Sequence, residues 1–170
     1  MVRSLGIFKG PMREIVHSLK YQRNLSLGDF FAPLLAKIFH QLNWQADIVT
    51  PVPLHRNRLH ERGYNQADIL ARPFAQITGV SYERNALMRL KDTRSQVGLK
   101  LIERRENMQA AFSADPKIVS NLKILVIDDV ATTTATIDAC ADALIKADAA
   151  TVYGLTLARA VRIGDDQITQ

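Results

Sequence analysis

Two adjacent carboxylates, Asp128 and Asp129, close the apolar run ILVI, and three consecutive threonines, Thr132, Thr133 and Thr134, follow at once. A further hydroxyl, Thr136, comes as an apolar-periodic segment resumes. Paired carboxylates accept hydrogen bonds from vicinal sugar hydroxyls, directly or beside a hydrated Mg²⁺. Hydroxyls and free N–H groups at a helix start hold a phosphate, and the helix dipole favours the same anion. One strand–loop–helix unit could therefore grip both ends of a ribose 5-phosphate. Acidic strand ends and threonines at helix starts are each common as caps; their combination in this order points to a ligand. Two other uses of such a pair fail. In a receiver domain it closes the first strand, whereas here it comes too late for the remaining strands to follow. A phosphate-loop ATPase needs Gly-x-x-x-x-Gly-Lys-Ser/Thr upstream, and the chain has none.

The elements that must position these groups alternate. Residues 122–127 are short, almost continuously apolar and rich in β-branched types, as expected of a strand covered on both faces. A helix follows over 135–146 and a strand over 150–157. Earlier, Pro11 opens an amphipathic helix through about Tyr21, and a second helical pattern runs from Leu27 to Leu42. Residues 47–53 read as a short strand stopped by proline. The segment 54–63 reads as a charge-dense loop, and 65–78 as a helix that Pro73 would kink or shift. A strand is expected over 82–90, a mobile polar loop over 91–98 and a charged helical turn over 99–107. Strands alternating with helices predict an α/β fold with a mostly parallel sheet flanked by helices. Ligands in such folds sit at the carboxyl ends of the strands, where Asp128 and Asp129 lie.

At 170 residues the chain is expected to form one domain, with 1–45 as a helical hood. Its net charge of +5 admits polyanionic partners. The single cysteine, Cys140, excludes an intramolecular disulfide and suits packing within a helix. A reducing cytoplasm is the expected location, with no signal peptide and no membrane insertion.

Three ordered motifs carry a resemblance. DDVATTTAT from Asp128 resembles the phosphoribosyl-diphosphate loop of type I phosphoribosyltransferases. TPVPLHRNRLHERGYNQ over 50–66 resembles the signature of the ComF/GntX family within that class. TRSQVGLKLIERREN over 93–107, with Ala111-Phe112 after it, resembles the same family's next segment; Leu19-Lys20-Tyr21 and Leu157-Ala158-Arg159 also fit. The resemblance implies that Asp128 and Asp129 hold the ribose hydroxyls and a Mg²⁺. It implies that Ala131, Thr132, Thr133, Thr134, Ala135 and Thr136 cradle the 5-phosphate. Val52, Pro53 and Leu54 match the diphosphate turn, assisted by Arg56. The loop over 93–105, with Arg94 as a catalytic cation, would close over the site and exclude water. The implied chemistry is loss of diphosphate from C1 of the sugar and attack by a nitrogen nucleophile, with Mg²⁺ and basic side chains taking up the leaving-group charge. The implied ligand is phosphoribosyl diphosphate. Single-stranded DNA, competence proteins and a second copy of the chain are admitted as partners, and natural competence as the setting. A non-catalytic sugar-phosphate sensor or DNA-binding module is the alternative.

The chain also departs from the family. Thr134 stands where Gly is usual, at a position that favours positive φ and close backbone approach. A cysteine-rich zinc module commonly precedes the domain in this family, and this sequence starts after that point. In KADAA over 146–150, where a helix-ending Gly is usual, Asp148 is expected to take the left-handed position. Arg56, Arg58 and Arg62, opposed by Glu61, form a basic cluster that suits diphosphate or a DNA track, with Tyr64 and Tyr82 as the nearby aromatics. His55 and His60 are expected in surface or loop roles, and His17 and His40 on helix faces. Trp44 and the Phe30-Phe31 pair are expected in the core.

Overall fold

The computed structural model describes residues 1–91 and 111–160. Seven strands and six helices follow in the order β1 (Val2–Ile7), α1 (Pro11–Tyr21), α2 (Ser26–Gln41), β2 (Ile48–Pro51), α3 (Arg56–Arg62), α4 (Gln66–Thr78), β3 (Ser81–Tyr82), β4 (Leu87–Arg89), β5 (Phe112–Ala114), α5 (Pro116–Val119), β6 (Lys123–Ala131), α6 (Ala135–Lys146) and β7 (Thr151–Arg159) among these residues. Five strands make one parallel sheet in the order β1-β7-β6-β2-β3, and β4 and β5 pair as an antiparallel ribbon. The α/β class and parallel sheet are as expected from the alternation.

β6 is the centre. Ile124, Leu125, Val126 and Ile127 are all fully buried, because both faces of the sheet are covered. Leu125 and Ile127 pack with α1, α2 and α4 on one face; Ile124 and Val126 pack with α6, α5 and the β4–β5 ribbon on the other. α4 joins β2 to β3 on the first face, and α6 joins β6 to β7 on the second. The connections from β2 and β6 therefore move outward in opposite senses, and the point between these two strands is the switch point where open α/β sheets bind ligands.

Several expectations need correction. Residues 54–63 are not a loop: they hold α3, a helix with no buried residue and hence no apolar period to reveal it. His55 caps it by accepting from the Asn57 N–H at 3.3 Å, and Gly63 ends it at φ 78°. The strand expected over 82–90 breaks into β3, a 3-10 turn (Arg84–Ala86) and β4. β6 runs on to Ala131, since β7 still offers ladder partners there, so the two aspartates lie inside the strand. β1, unsuspected in the sequence, extends the sheet beside β7, so residues 1–45 do not form only a helical hood. Phe31 is buried, but Phe30 is 65% exposed and meets Phe31 edge-on at 4.9 Å. Trp44 stacks on Tyr153 at 4.7 Å and packs against the core as expected. Asp148 takes the left-handed position at φ 69°. α4 continues through Pro73. The segment 92–110, including the expected closing loop and Arg94, lies outside the described residues. Among the described residues no helix is long and apolar enough to cross a membrane.

Candidate functional site

β2 stops at Pro51, opposite Ile127, and one further bond runs from the Val52 N–H to the Ile127 carbonyl at 2.9 Å. Beyond it β6 has no β2 neighbour, and Asp128 and Asp129 stand at the opening. Both are buried. Strand alternation gives them different faces. Asp128 follows Ile124 and Val126 onto the α6 face, and Asp129 follows Leu125 and Ile127 onto the face of α1 and α4.

Asp128 stands in register with Thr156 of β7, whose hydroxyl lies 2.7 Å from that of Ser4 in β1. A polar row thus crosses three strands on the α6 face. Asp128 Oδ1 accepts the Asp129 N–H at 2.8 Å. Burial pushes the Asp128 carboxyl well above the usual carboxylate range; repulsion by the Asp129 carboxylate and a side-chain hydrogen bond with it add to this, while the Asp129 backbone N–H and Lys20 oppose it. An acid raised in the folded state contributes stability at low pH that is lost as pH climbs from its unfolded value through its folded one. Asp128→Asn should therefore raise the melting temperature at pH 7, by about 2–4 °C for each kcal/mol of penalty relieved. The gain should fade as pH falls toward about 4. Thermal melts from pH 4 to 8 check this; a gain equal at every pH contradicts it.

Asp129 is surrounded differently. The Lys20 ammonium sits 2.8 Å from its Oδ2, and the Gln66 amide donates to its Oδ1 at 3.5 Å. Gln66 is held in turn by Arg62, whose guanidinium lies over the Tyr21 ring at 5.5 Å. The Tyr64 hydroxyl donates to the Leu19 carbonyl at 2.8 Å and accepts the Arg23 N–H at 3.3 Å, tying down the end of α1. Asn65 caps α4 by accepting from Ala67 at 3.1 Å and donates to the Val52 carbonyl at 3.0 Å. The stretch RGYNQ over 62–66 therefore joins α1, the β2 turn and Asp129. Lys20, Tyr21, Arg23, Arg58, Arg62 and Tyr64, with Glu61, line a cavity of about 620 Å³ at this side.

The threonine bend lies by the other carboxylate's face. Thr132, Thr133 and Thr134 are exposed, and Ala135 and Thr136 begin α6. Thr134 stands at the N-cap position of that helix at φ 39°, ψ −12°, in the left-handed region, with no side-chain capping bond. A β-branched residue is rarely found there, and such strain clusters at ligand sites. Its hydroxyl donates to Asp138 at 2.8 Å. The three threonines share a cavity of about 470 Å³ with Arg3 and Ser4 of β1 and Arg159 of β7. In the β2 turn, Val52 is in the core with both backbone groups bonded. Pro53 and Leu54 of that turn are half-buried, and Arg56, the first residue of α3, is exposed.

Several cations at the site had no role assigned from sequence, Arg3 and Lys20 among them. Arg3 sits on a strand too short and mixed to be read, and Lys20 pairs with a carboxylate more than a hundred positions away, which no local period encodes. Among the described residues no cluster of three or more His, Cys, Asp or Glu could hold a metal alone. Two adjacent carboxylates suit a Mg²⁺ whose other ligands are water and substrate phosphate oxygens.

No family model matches the chain. It is 31% identical over 164 residues to competence protein F of Haemophilus influenzae, covering 92% of this chain and 71% of that protein. It is 30% identical over 161 residues to DNA utilization protein YhgH of Salmonella typhi, covering 92% and 70%. Among solved structures it is similar to adenine phosphoribosyltransferase from Thermoanaerobacter pseudethanolicus, with a TM-score of 0.50, 11% identity, and coverage of 82% and 83%. It is similar to a glutamine phosphoribosylpyrophosphate amidotransferase from B. subtilis, with a TM-score of 0.50 and 22% identity over 72% of this chain, spanning only 25% of that enzyme. These structural likenesses establish the type I phosphoribosyltransferase fold.

Proposed function

This chain belongs to the family of competence protein F and DNA utilization protein YhgH, and from that premise we propose that it binds phosphoribosyl diphosphate with Mg²⁺ and serves the handling of incoming DNA. The observation that carries the reading is the crevice itself. Two buried carboxylates near the end of β6 lead directly into a hydroxyl-rich bend at the start of α6, and that bend shares a cavity with Arg3 and Arg159. The bend, the start of α6 and these two arginines suit a 5-phosphate. Asp128 and Asp129 suit sugar hydroxyls. Arg56 suits the diphosphate, and Arg94 keeps its proposed role as a cation for the leaving group. The same two carboxylates would hold Mg²⁺, which supplies charge neutralisation on the diphosphate when bound. In the transfer, the C1–oxygen bond breaks and diphosphate departs with its electron pair. A nitrogen acceptor forms the new bond at C1 and loses its proton.

Calorimetry with phosphoribosyl diphosphate and Mg²⁺ tests the reading. The wild type should bind. Thr134→Gly should bind at least as tightly, since it removes a β-branched side chain from a left-handed position that costs about 1–3 kcal/mol. Absence of heat and of thermal stabilisation in both proteins would end the proposal.

A second reading rests on the basic cavity, where Tyr21 and Tyr64 interleave with four cations. In it the protein is a non-catalytic module for single-stranded DNA, consistent with the names of its relatives. Binding through four phosphate contacts should weaken by about 50-fold between 50 and 200 mM salt, at a slope of about −0.7 per contact for a single strand. A flat salt response in an oligonucleotide titration counts against it.

A further inference from the structure

Lys20 belongs to two sites at once. Its ammonium is 2.8 Å from Asp129 Oδ2, and its side chain also lines the basic cavity with Arg23, Arg58 and Arg62. The two ends of the ion pair differ in freedom. The Lys20 side chain is 27% exposed, whereas that of Asp129 is 4% exposed and fixed on the central strand. Lysine is a compact charge on a flexible four-carbon stem, so the ammonium is the partner that can move. The Asp129 carboxylate cannot accept fully from sugar hydroxyls while that ammonium and the Gln66 amide occupy its oxygens.

We propose that Lys20 couples the two sites: a phosphate-type anion entering the basic cavity draws the ammonium off Asp129 and so frees that carboxylate for the sugar. The inference rests on the sugar-phosphate reading only in its second half; the exchange of Lys20 between Asp129 and the cavity stands on the geometry alone. The neighbouring groups make the exchange specific. Arg62 is engaged by Gln66 and Tyr21, and the end of α1 is anchored through Tyr64, so the backbone that carries Lys20 stays in place while its side chain swings. Linkage makes the effect reciprocal: whatever occupies Asp129 in place of Lys20 strengthens anion binding in the cavity by the same factor.

Pyrophosphate, as the probe, tests the first half without any sugar. Asp129→Asn releases Lys20 and should bind pyrophosphate about three- to tenfold more tightly than the wild type, within the ordinary range of such couplings. The double variant Lys20→Met with Asp129→Asn should lose that gain. If the gain persists without Lys20, it reflects only the removed negative charge, and the proposal is overturned. The second half is read with ribose 5-phosphate. Pyrophosphate should tighten its binding to the wild type by the same factor, and Lys20→Met should bind it more tightly with no dependence on pyrophosphate. An unchanged dependence in Lys20→Met overturns the coupling. Failure of ribose 5-phosphate to bind at all, with the pyrophosphate results as expected, would instead remove the sugar-phosphate reading and leave the Lys20 exchange standing. Lys20→Gln serves as a second variant, and matched melting curves ensure that folded proteins are compared.

Discussion

Asp129→Asn should weaken binding of phosphoribosyl diphosphate with Mg²⁺ by about tenfold to a hundredfold. Hydrogen bonds from sugar hydroxyls to a carboxylate are worth about 1.5–3 kcal/mol, and an amide replaces them with weaker, partly misdirected ones. An opposing effect exists, because the variant no longer has to displace Lys20. That ion pair is partly open to solvent on the Lys20 side, and pairs of exposed charges contribute about 0.2–1 kcal/mol. The loss of the charged acceptor therefore outweighs the relief. The same substitution should tighten pyrophosphate while weakening the sugar ligand, and a general loss of fold cannot produce opposite signs. Calorimetry at fixed Mg²⁺ measures both. Equal affinity of variant and wild type for phosphoribosyl diphosphate would remove Asp129 from the proposed sugar site.

Gly28→Ala should lower the melting temperature by about 6–12 °C, at about 2–4 °C per kcal/mol for a chain of this length. A methyl at Gly28 would lie 2.2 Å from the Ile69 carbonyl oxygen and 2.8 Å from Ile69 Cγ2. The oxygen is there for a reason. Pro73 lies inside α4 and has no N–H to give the carbonyl four residues before it, which is that of Ile69. Gly28 lets α2 close on this freed carbonyl, whose oxygen stands where a Cβ would be. Added volume at such a contact must push α2 and α4 apart within the same core, and overpacking this severe costs about 3 kcal/mol, the upper end of the usual range. Because α4 begins with Asn65 and Gln66, a shift of this helix should also disturb the β2 turn and Asp129. A melting temperature within about 2 °C of wild type, at the stated 2–4 °C per kcal/mol, would contradict the packing argument.

Most of the architecture is legible in the residues because it is local. The apolar, β-branched run before Asp128 becomes the buried centre of the sheet, since only a strand covered on both faces can use it. Pro11 and the 3.6-residue apolar period mark α1, α2, α4 and α6. The elements that escaped reading lack such a period. α3 buries nothing, β1 is a six-residue edge strand of mixed character, and β5 is three residues long.

The chemistry available at the crevice is written in neighbouring residues: two adjacent carboxylates and a run of hydroxyls. No tertiary contact is needed to know these. Which way each carboxylate faces, and what it meets, was set by the folding of the whole chain. Asp128 and Asp129 are adjacent in sequence, yet the pleat sends one toward α6 and the other toward α1 and α4. The cation beside Asp129 comes from a helix at the far end of the chain, brought there because Leu19 packs in the core and Tyr64 ties down the end of α1. Charge pairing across such a separation depends on how the layers stack, and that is a property of the whole core.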